Sequence, residues 1–312
     1  MAYKALLIGC GNIGAGYDFD NDSVLTHAKA FSLDPEISFE VSDHNAELAQ
    51  NVAAKYNVNI AGELTPEYFR NFDVVSICTP TVTHYQYLEN CLAANVPLVI
   101  CEKPVSLDTV ELGQLASKYQ IGESKILVNY IRRFQPSFIN LRDKIEAISQ
   151  QEQLTNITIR YQRGFINNCS HAFDLVEFLT KQAISLENKT ISNRVYDAFP
   201  ADPTLTLTGN WGTANFVAAG LSNAKFSFFE IDLFFEYHRI SIREAGNVIE
   251  ISKAEQAENF FRPLQKLSEE KDCLKDYMKH VLIEAKRVLK GETEDNFISG
   301  VNLAFKMLTY LQ

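Results

Sequence analysis

The apolar run Lys4–Ile8 passes straight into Gly9-Cys10-Gly11-Asn12-Ile13-Gly14, which commits the start of the chain to a strand, a tight turn and a helix. That spacing directly after a strand suits the receipt of a dinucleotide pyrophosphate. Gly9 makes the turn, Gly11 lets bare backbone approach the ligand, and Gly14 allows helix to pack closely on strand. The amides of Asn12 and Ile13, at the helix start, then face the phosphates.

A second strand is expected over Ile37–Val41, where apolar and polar side chains alternate, and it ends at Asp43. An acid at that point accepts the ribose hydroxyls of NAD. Neither His44 nor Asn45 offers a guanidinium for a 2′-phosphate, so NAD is expected over NADP. The other role open to Asp43 is a cap on the next helix. Asp43 stands nearly 30 residues past Gly14, where about 20 is usual, so an insertion lies between them. The polar stretch Tyr17–Ser23 fits that insertion. Its Asp18, Asp20 and Asp22 alternate as in a calcium loop, but the sixth position is Ser23 and the twelfth Lys29, so no metal is expected.

With 312 residues, 46% of them hydrophobic, the chain can build two domains with separate cores. Its net charge of −10 leaves no basic stripe for nucleic acid. No apolar run approaches the roughly 20 residues that cross a bilayer, and no basic leader precedes the first strand, so a cytoplasmic protein is expected. Six cysteines without a C-x-x-C pair suit buried, reduced thiols rather than disulfides or zinc.

The pattern alternates through the first half: a helix over Ala46–Tyr56, a strand over Asp73–Cys78, a helix opened by Thr83 and Gln86 as a capping box, a strand over Pro97–Cys101, a helix over Leu112–Tyr119 and a strand over Ile126–Tyr130. This predicts an α/β, doubly wound parallel sheet over residues 1–128. Residues 129–312 then run mostly as strands, at Leu154–Tyr161, Leu205–Leu207, Thr213–Ala219, Phe226–Phe235 and Val248–Ile251, before two closing helices. An α+β domain with a mostly antiparallel open sheet is expected there. Phe226, Phe228, Phe229, Phe234 and Phe235 suggest an exposed apolar face for self-association, with core packing as the alternative.

Four motifs in order, Gly9–Gly14, Cys78-Thr79-Pro80-Thr81-Val82-Thr83-His84, Cys101-Glu102-Lys103-Pro104 and Tyr130-Ile131-Arg132-Arg133-Phe134-Gln135-Pro136, resemble the glucose-fructose oxidoreductase / inositol dehydrogenase / MocA family across nearly the whole chain. The resemblance implies a Rossmann domain, a second domain whose open sheet joins homodimers or homotetramers, and NAD(P)-dependent hydride transfer with sugars, polyols or nucleotide sugars. It also implies that Thr79, Pro80, His84 and Glu102 line the cofactor side.

Lys103 is the first catalytic candidate: the following proline keeps it extended at a strand's carboxyl end, where open α/β sheets place ligands. Its ammonium can stabilise negative charge developing on the substrate oxygen. His171 follows Ser170, which would cap a helix and put the imidazole in its first turn, where the helix field keeps it neutral as a general base. Asn167 stands where the resemblance implies aspartate, and with Arg163 and Tyr130 it is a candidate to orient substrate hydroxyls. Two other functions share the fold: a noncatalytic dinucleotide-responsive regulator and an NAD-dependent glycosidase.

Overall fold

The computed structural model describes residues 3–255 and 262–311 and divides into two compact units. The first runs up to Ile131 and resumes at Asp276; the second is Arg132–Lys275.

In the first unit β1 (Tyr3–Ile8), α1 (His27–Leu33), β2 (Ile37–Ser42), α2 (Ala46–Tyr56), β3 (Asn59–Ile60), α3 (Pro66–Phe69), β4 (Val74–Ile77), α4 (His84–Ala94), β5 (Leu98–Cys101), α5 (Thr109–Ile121) and β6 (Lys125–Val128) follow the expected alternation. All six strands are parallel, in the order β3-β2-β1-β4-β5-β6. Strands β4 and β5 are buried at every position, as crossover helices on both faces require. The order reverses between β1 and β4, and their carboxyl ends form the switch point where such sheets take ligands.

The second unit comprises α6 (Pro136–Ser149), β7 (Leu154–Tyr161), α7 (Ser170–Thr180), β8 (Glu187–Phe199), β9 (Asp202–Trp211), β10 (Ala214–Gly220), β11 (Phe229–Phe235), β12 (His238–Arg243), β13 (Val248–Ala254) and β14 (Leu264–Glu270). These strands form one sheet, β14-β13-β12-β11-β7-β10-β9-β8, in which only the β7–β10 pair is parallel. The apolar pattern overlooked β8, β12 and β14, because β8 and β14 are largely exposed and carry no buried stripe to read. It also overlooked α6.

Phe226, ahead of β11, is 61% exposed, but the aromatic run within β11 itself does not make an apolar outer face. Phe229 and Phe235 alternate with Ile231 and Leu233 into the core, while the opposite face carries Glu230, Asp232 and Phe234. There Asp232, 4% exposed, receives Arg160, Arg239 and the Ser241 hydroxyl. Arg239 also lies over the Phe234 ring at 5.4 Å. The strand period of two forces this division, because consecutive side chains cannot share a face.

The last helices, α8 (Tyr277–Leu289) and α9 (Phe297–Leu311), belong to the first unit, whereas a break at residue 128 would leave them with the second. The edge of β6 explains the association. Asn296 pairs with both the amide and the carbonyl of Val128, at 2.8 and 2.9 Å, as a neighbouring strand would. Asp295 accepts from the Ile126 amide at 3.0 Å and the Tyr119 hydroxyl at 2.7 Å. The exposed ladder is thereby satisfied and closed.

Candidate functional site

At the switch point a cleft of about 660 Å³ opens between the glycine turn, the end of β2 and the turn after β4. Gly9, Gly11, Asn12, Ile13, Asp43, Thr79 and Pro80 all line it, so the structure brings together most of the residues expected around a cofactor. Tyr17, Leu48, Val82 and Tyr87 also line it and were not assigned to the cofactor from sequence, since an apolar side chain over a cleft resembles any surface hydrophobe. Val82 is 80% exposed at the rim of this cleft.

The glycine roles separate cleanly. A Cβ on Gly11 would meet nothing within 4 Å, which leaves the backbone open to an approaching ligand. Gly9, at φ +98°, would place a Cβ 2.7 Å from the Cys78 carbonyl group. The turn continues as a wide helical turn, Asn12–Gly16, with Gly16 and Tyr17 donating to the carbonyls of Gly11 and Asn12. Its leading amides precede that ladder, the arrangement that receives an anion.

Asp43 is tied to the same turn. Its Oδ2 accepts from the Cys10 amide at 2.6 Å and its Oδ1 from the Asn45 amide at 2.8 Å. The capping alternative for Asp43 is filled by another residue, because Asn45 accepts from Glu47 and Leu48 at the start of α2. Burial, with Asp43 nearby, pushes the Cys10 thiol up to about 12, so it is inert. A ribose diol and a pyrophosphate fit this donor and acceptor set.

The acidic insertion is structural. Asp18 is fully buried and accepts from the amides of Leu25 and Thr26 and from the Thr26 hydroxyl, while Thr26 caps α1 through the Lys29 amide. Among the described residues no His, Cys, Asp or Glu cluster could hold a metal ion. The insertion delivers His27, whose Nδ1 lies 2.7 Å from Ser76 Oγ and whose Nε2 lies 3.1 Å from Glu102 Oε1. Asn129 donates to the same carboxylate oxygen at 2.6 Å. Burial alone would raise the Glu102 pKa, yet these hydrogen bonds and the Lys103 charge hold it below the ordinary carboxylate range. Glu102 and His84 are not among the residues that line this cleft.

The Thr83–Gln86 capping box does not form. The Thr83 hydroxyl instead donates to the Pro80 carbonyl at 2.8 Å and lies 2.8 Å from the Thr79 hydroxyl, within a short turn ahead of α4. His84, 1% exposed, has Nε2 2.9 Å from the Thr79 carbonyl and Nδ1 2.8 Å from the Pro104 carbonyl. Lys103, half-buried, follows β5, and its bond to Pro104 is cis. Tyr130, at the end of β6, is 2% exposed.

In the second unit His171 is the second residue of α7, but Ser170 is no cap: its buried hydroxyl has no hydrogen-bond partner. The helical path begins earlier, in a wide turn over Phe165–Cys169 that follows Gly164 at φ +87°. Asp202 caps that start, accepting from the amides of Ile166 and Asn167 at 2.8 and 2.7 Å. His171 thus sits well past the helix start, and the field invoked to keep it neutral falls off within the first turn. Asn167 donates its side-chain amide to the carbonyl of the exposed Arg163 at 3.3 Å. One turn beyond His171, buried Asp174 pairs with Arg133 at 3.1 Å, and burial outweighs that cation to raise its carboxyl to about 7.

Residues 3–130 match the model of an oxidoreductase family with an NAD-binding Rossmann fold. Inositol 2-dehydrogenase of Rhizobium meliloti is 28% identical over 57% of this chain and 55% of its own length. UDP-N-acetylglucosamine 3-dehydrogenase of Acidithiobacillus ferrooxidans is 32% identical over 44% and 39%, respectively. The chain spans about half the length of the curated relatives it matches. The solved structure of the Acidithiobacillus enzyme superposes with a TM-score of 0.77 at 18% identity, covering 99% of this chain and 96% of that one. GenD2 from gentamicin A biosynthesis, in complex with NAD, superposes at 0.76 with 14% identity over 99% and 92%. These likenesses show the fold of both units. The glycine turn, the acid after β2 and the six-strand order agree with that match, and over residues 3–130 the chain is similar to the NAD-binding Rossmann domain of this oxidoreductase family.

Proposed function

We propose that this protein is an NAD-dependent dehydrogenase or reductase acting on a carbon of a sugar, polyol or nucleotide-linked sugar. The observation that carries the cofactor reading is Asp43: a carboxylate held by the glycine turn at the edge of the cleft accepts a ribose diol and repels a 2′-phosphate. The matched relatives, named for inositol and UDP-N-acetylglucosamine, support the substrate class.

The nicotinamide, when bound, supplies the hydride acceptor or donor. In the proposed reaction Lys103 hydrogen-bonds the reacting oxygen and offsets its developing charge. His171 takes or returns the hydroxyl proton. Asn167, Arg163 and Tyr130 orient the remaining hydroxyls. Asn167 brings no negative charge to an imidazolium at His171, so the base is weaker than an aspartate-supported one. Copies of the chain pair through the second unit's sheet in this proposal.

A screen of myo-inositol, other free polyols and UDP-linked sugars with NAD, followed by absorbance of the reduced cofactor, tests it. Net NADH formation supports a dehydrogenase. Aglycone release without net NADH identifies a glycosidase, and NAD binding without turnover of any member leaves a regulator.

A further inference from the structure

His84 lies at the first position of α4, essentially without solvent contact, with a backbone carbonyl facing each ring nitrogen. One carbonyl belongs to Thr79, in the wall of the cofactor cleft, and the other to Pro104, the residue after Lys103. Those two segments leave neighbouring strands, β4 and β5, and are 25 positions apart in the chain. Strand pairing holds them together as far as Ile77 and Cys101, with the Glu102 amide donating to the Ile77 carbonyl at 3.0 Å, and the two segments part just beyond.

We propose that His84 is a positioning residue that fixes the Thr79 turn against the Lys103–Pro104 segment, setting the bound dinucleotide and the lysine in register. A buried ring with acceptors on both sides spends its N–H on one of these two carbonyls in either tautomer. Cys101 Sγ, 3.8 Å from Nδ1, adds only a weak contact. Burial pulls the imidazole below its ordinary pKa, while the two carbonyls and Glu102 pull it up and Lys103 adds to the lowering. A neutral ring donates to one segment at a time, and a protonated ring to both.

The two arms can be cut separately. An asparagine amide reaches about as far as Nδ1 and a glutamine amide about as far as Nε2, so His84→Asn keeps the Pro104 arm and His84→Gln keeps the Thr79 arm. In hydrogen–deuterium exchange on the full chain, His84→Asn should speed exchange of residues 79–83, and His84→Gln that of residues 103–107, each by about tenfold. Calorimetry with NAD should show affinity about tenfold weaker for His84→Asn and changed less than about threefold for His84→Gln. Equal loosening of both segments in both variants, or loosening of neither, overturns the proposal and leaves His84 as core filler.

The link to catalysis rests on the function proposed above, but the exchange measurement does not. Loss of NAD binding in the unaltered protein would remove that function while the segment-specific exchange still decides the clasp. If both variants fail to fold, the unaltered protein labelled with ¹⁵N-histidine decides: a slowly exchanging ring N–H of His84, close in space to residue 79 or 104, upholds the clasp, and its absence overturns it.

Discussion

A Cβ placed on Gly14 would stand 2.0 Å from the carbonyl oxygen of Gly9, whereas one on Gly11 would meet nothing within 4 Å. Gly14→Ala should therefore lower stability by about 3 kcal/mol or more, because backbone cannot yield as a side chain does. Gly11→Ala should leave the melting temperature within about 3 °C of the unaltered protein and abolish measurable NAD binding. Thermal melts and calorimetry on the two variants check this; a destabilised Gly11→Ala with intact NAD affinity contradicts it.

Asp43 connects the cleft rim to the glycine turn through the Cys10 amide. Asp43→Ala should weaken NAD binding by about tenfold to a hundredfold, roughly the loss of a charge-assisted hydrogen bond or two. NADP binding should weaken less, since the carboxylate that repels the 2′-phosphate is gone. Titrating both cofactors against both proteins measures the ratio. An unchanged preference for NAD would move the discrimination to another residue.

For Lys103 the expected signature is a split between chemistry and binding. Lys103→Ala should abolish turnover of any substrate found in the screen while NAD affinity stays within about threefold, because a group that stabilises charge only in the transition state contributes little to cofactor binding. Equal losses in both would contradict the assigned role.

Asp174 predicts a pH dependence of stability. Its folded carboxyl titrates at about 7 against 3.8 as the ordinary value, so between those limits the folded state holds a proton that the unfolded chain has released. Stability should then fall as pH rises through that window, by at most about 1.4 kcal/mol per pH unit, and the contribution should level off above 7. Asp174→Asn, which retains a hydrogen-bonding group for Arg133, should flatten the slope. Denaturant melts at pH 5, 6, 7 and 8 compare the two proteins, and parallel slopes would place the titration elsewhere.

The cofactor half of this protein was legible in the chain because its signals are local. Gly9, Gly11, Gly14 and Asp43 each carry their reason within one strand, turn and helix, and the alternation from Lys4 to Val128 has the period of buried strands and covering helices. Helix starts were less legible. Thr83 and Ser170 have the side chains of caps, yet each follows a turn that is already coiled, so the caps were not needed where residue type alone placed them. Asp202 caps the coil before His171 from 35 positions or more away, and no local pattern announces such a partner.

By itself the sequence determined the strand-turn-helix at the amino end, the change from alternating elements to a run of strands, and the acid that follows β2, because hydrophobic period and glycine geometry act over a few residues. Tertiary structure alone decided that the last two helices close the edge of β6, that the acidic insertion serves to bury Asp18 and deliver His27 to Glu102, and that β11 turns its charges outward around Asp232. The physical reason is range: a hydrogen bond or an ion pair between distant segments depends on where folding places both ends, and only one end can be read at a time along a chain.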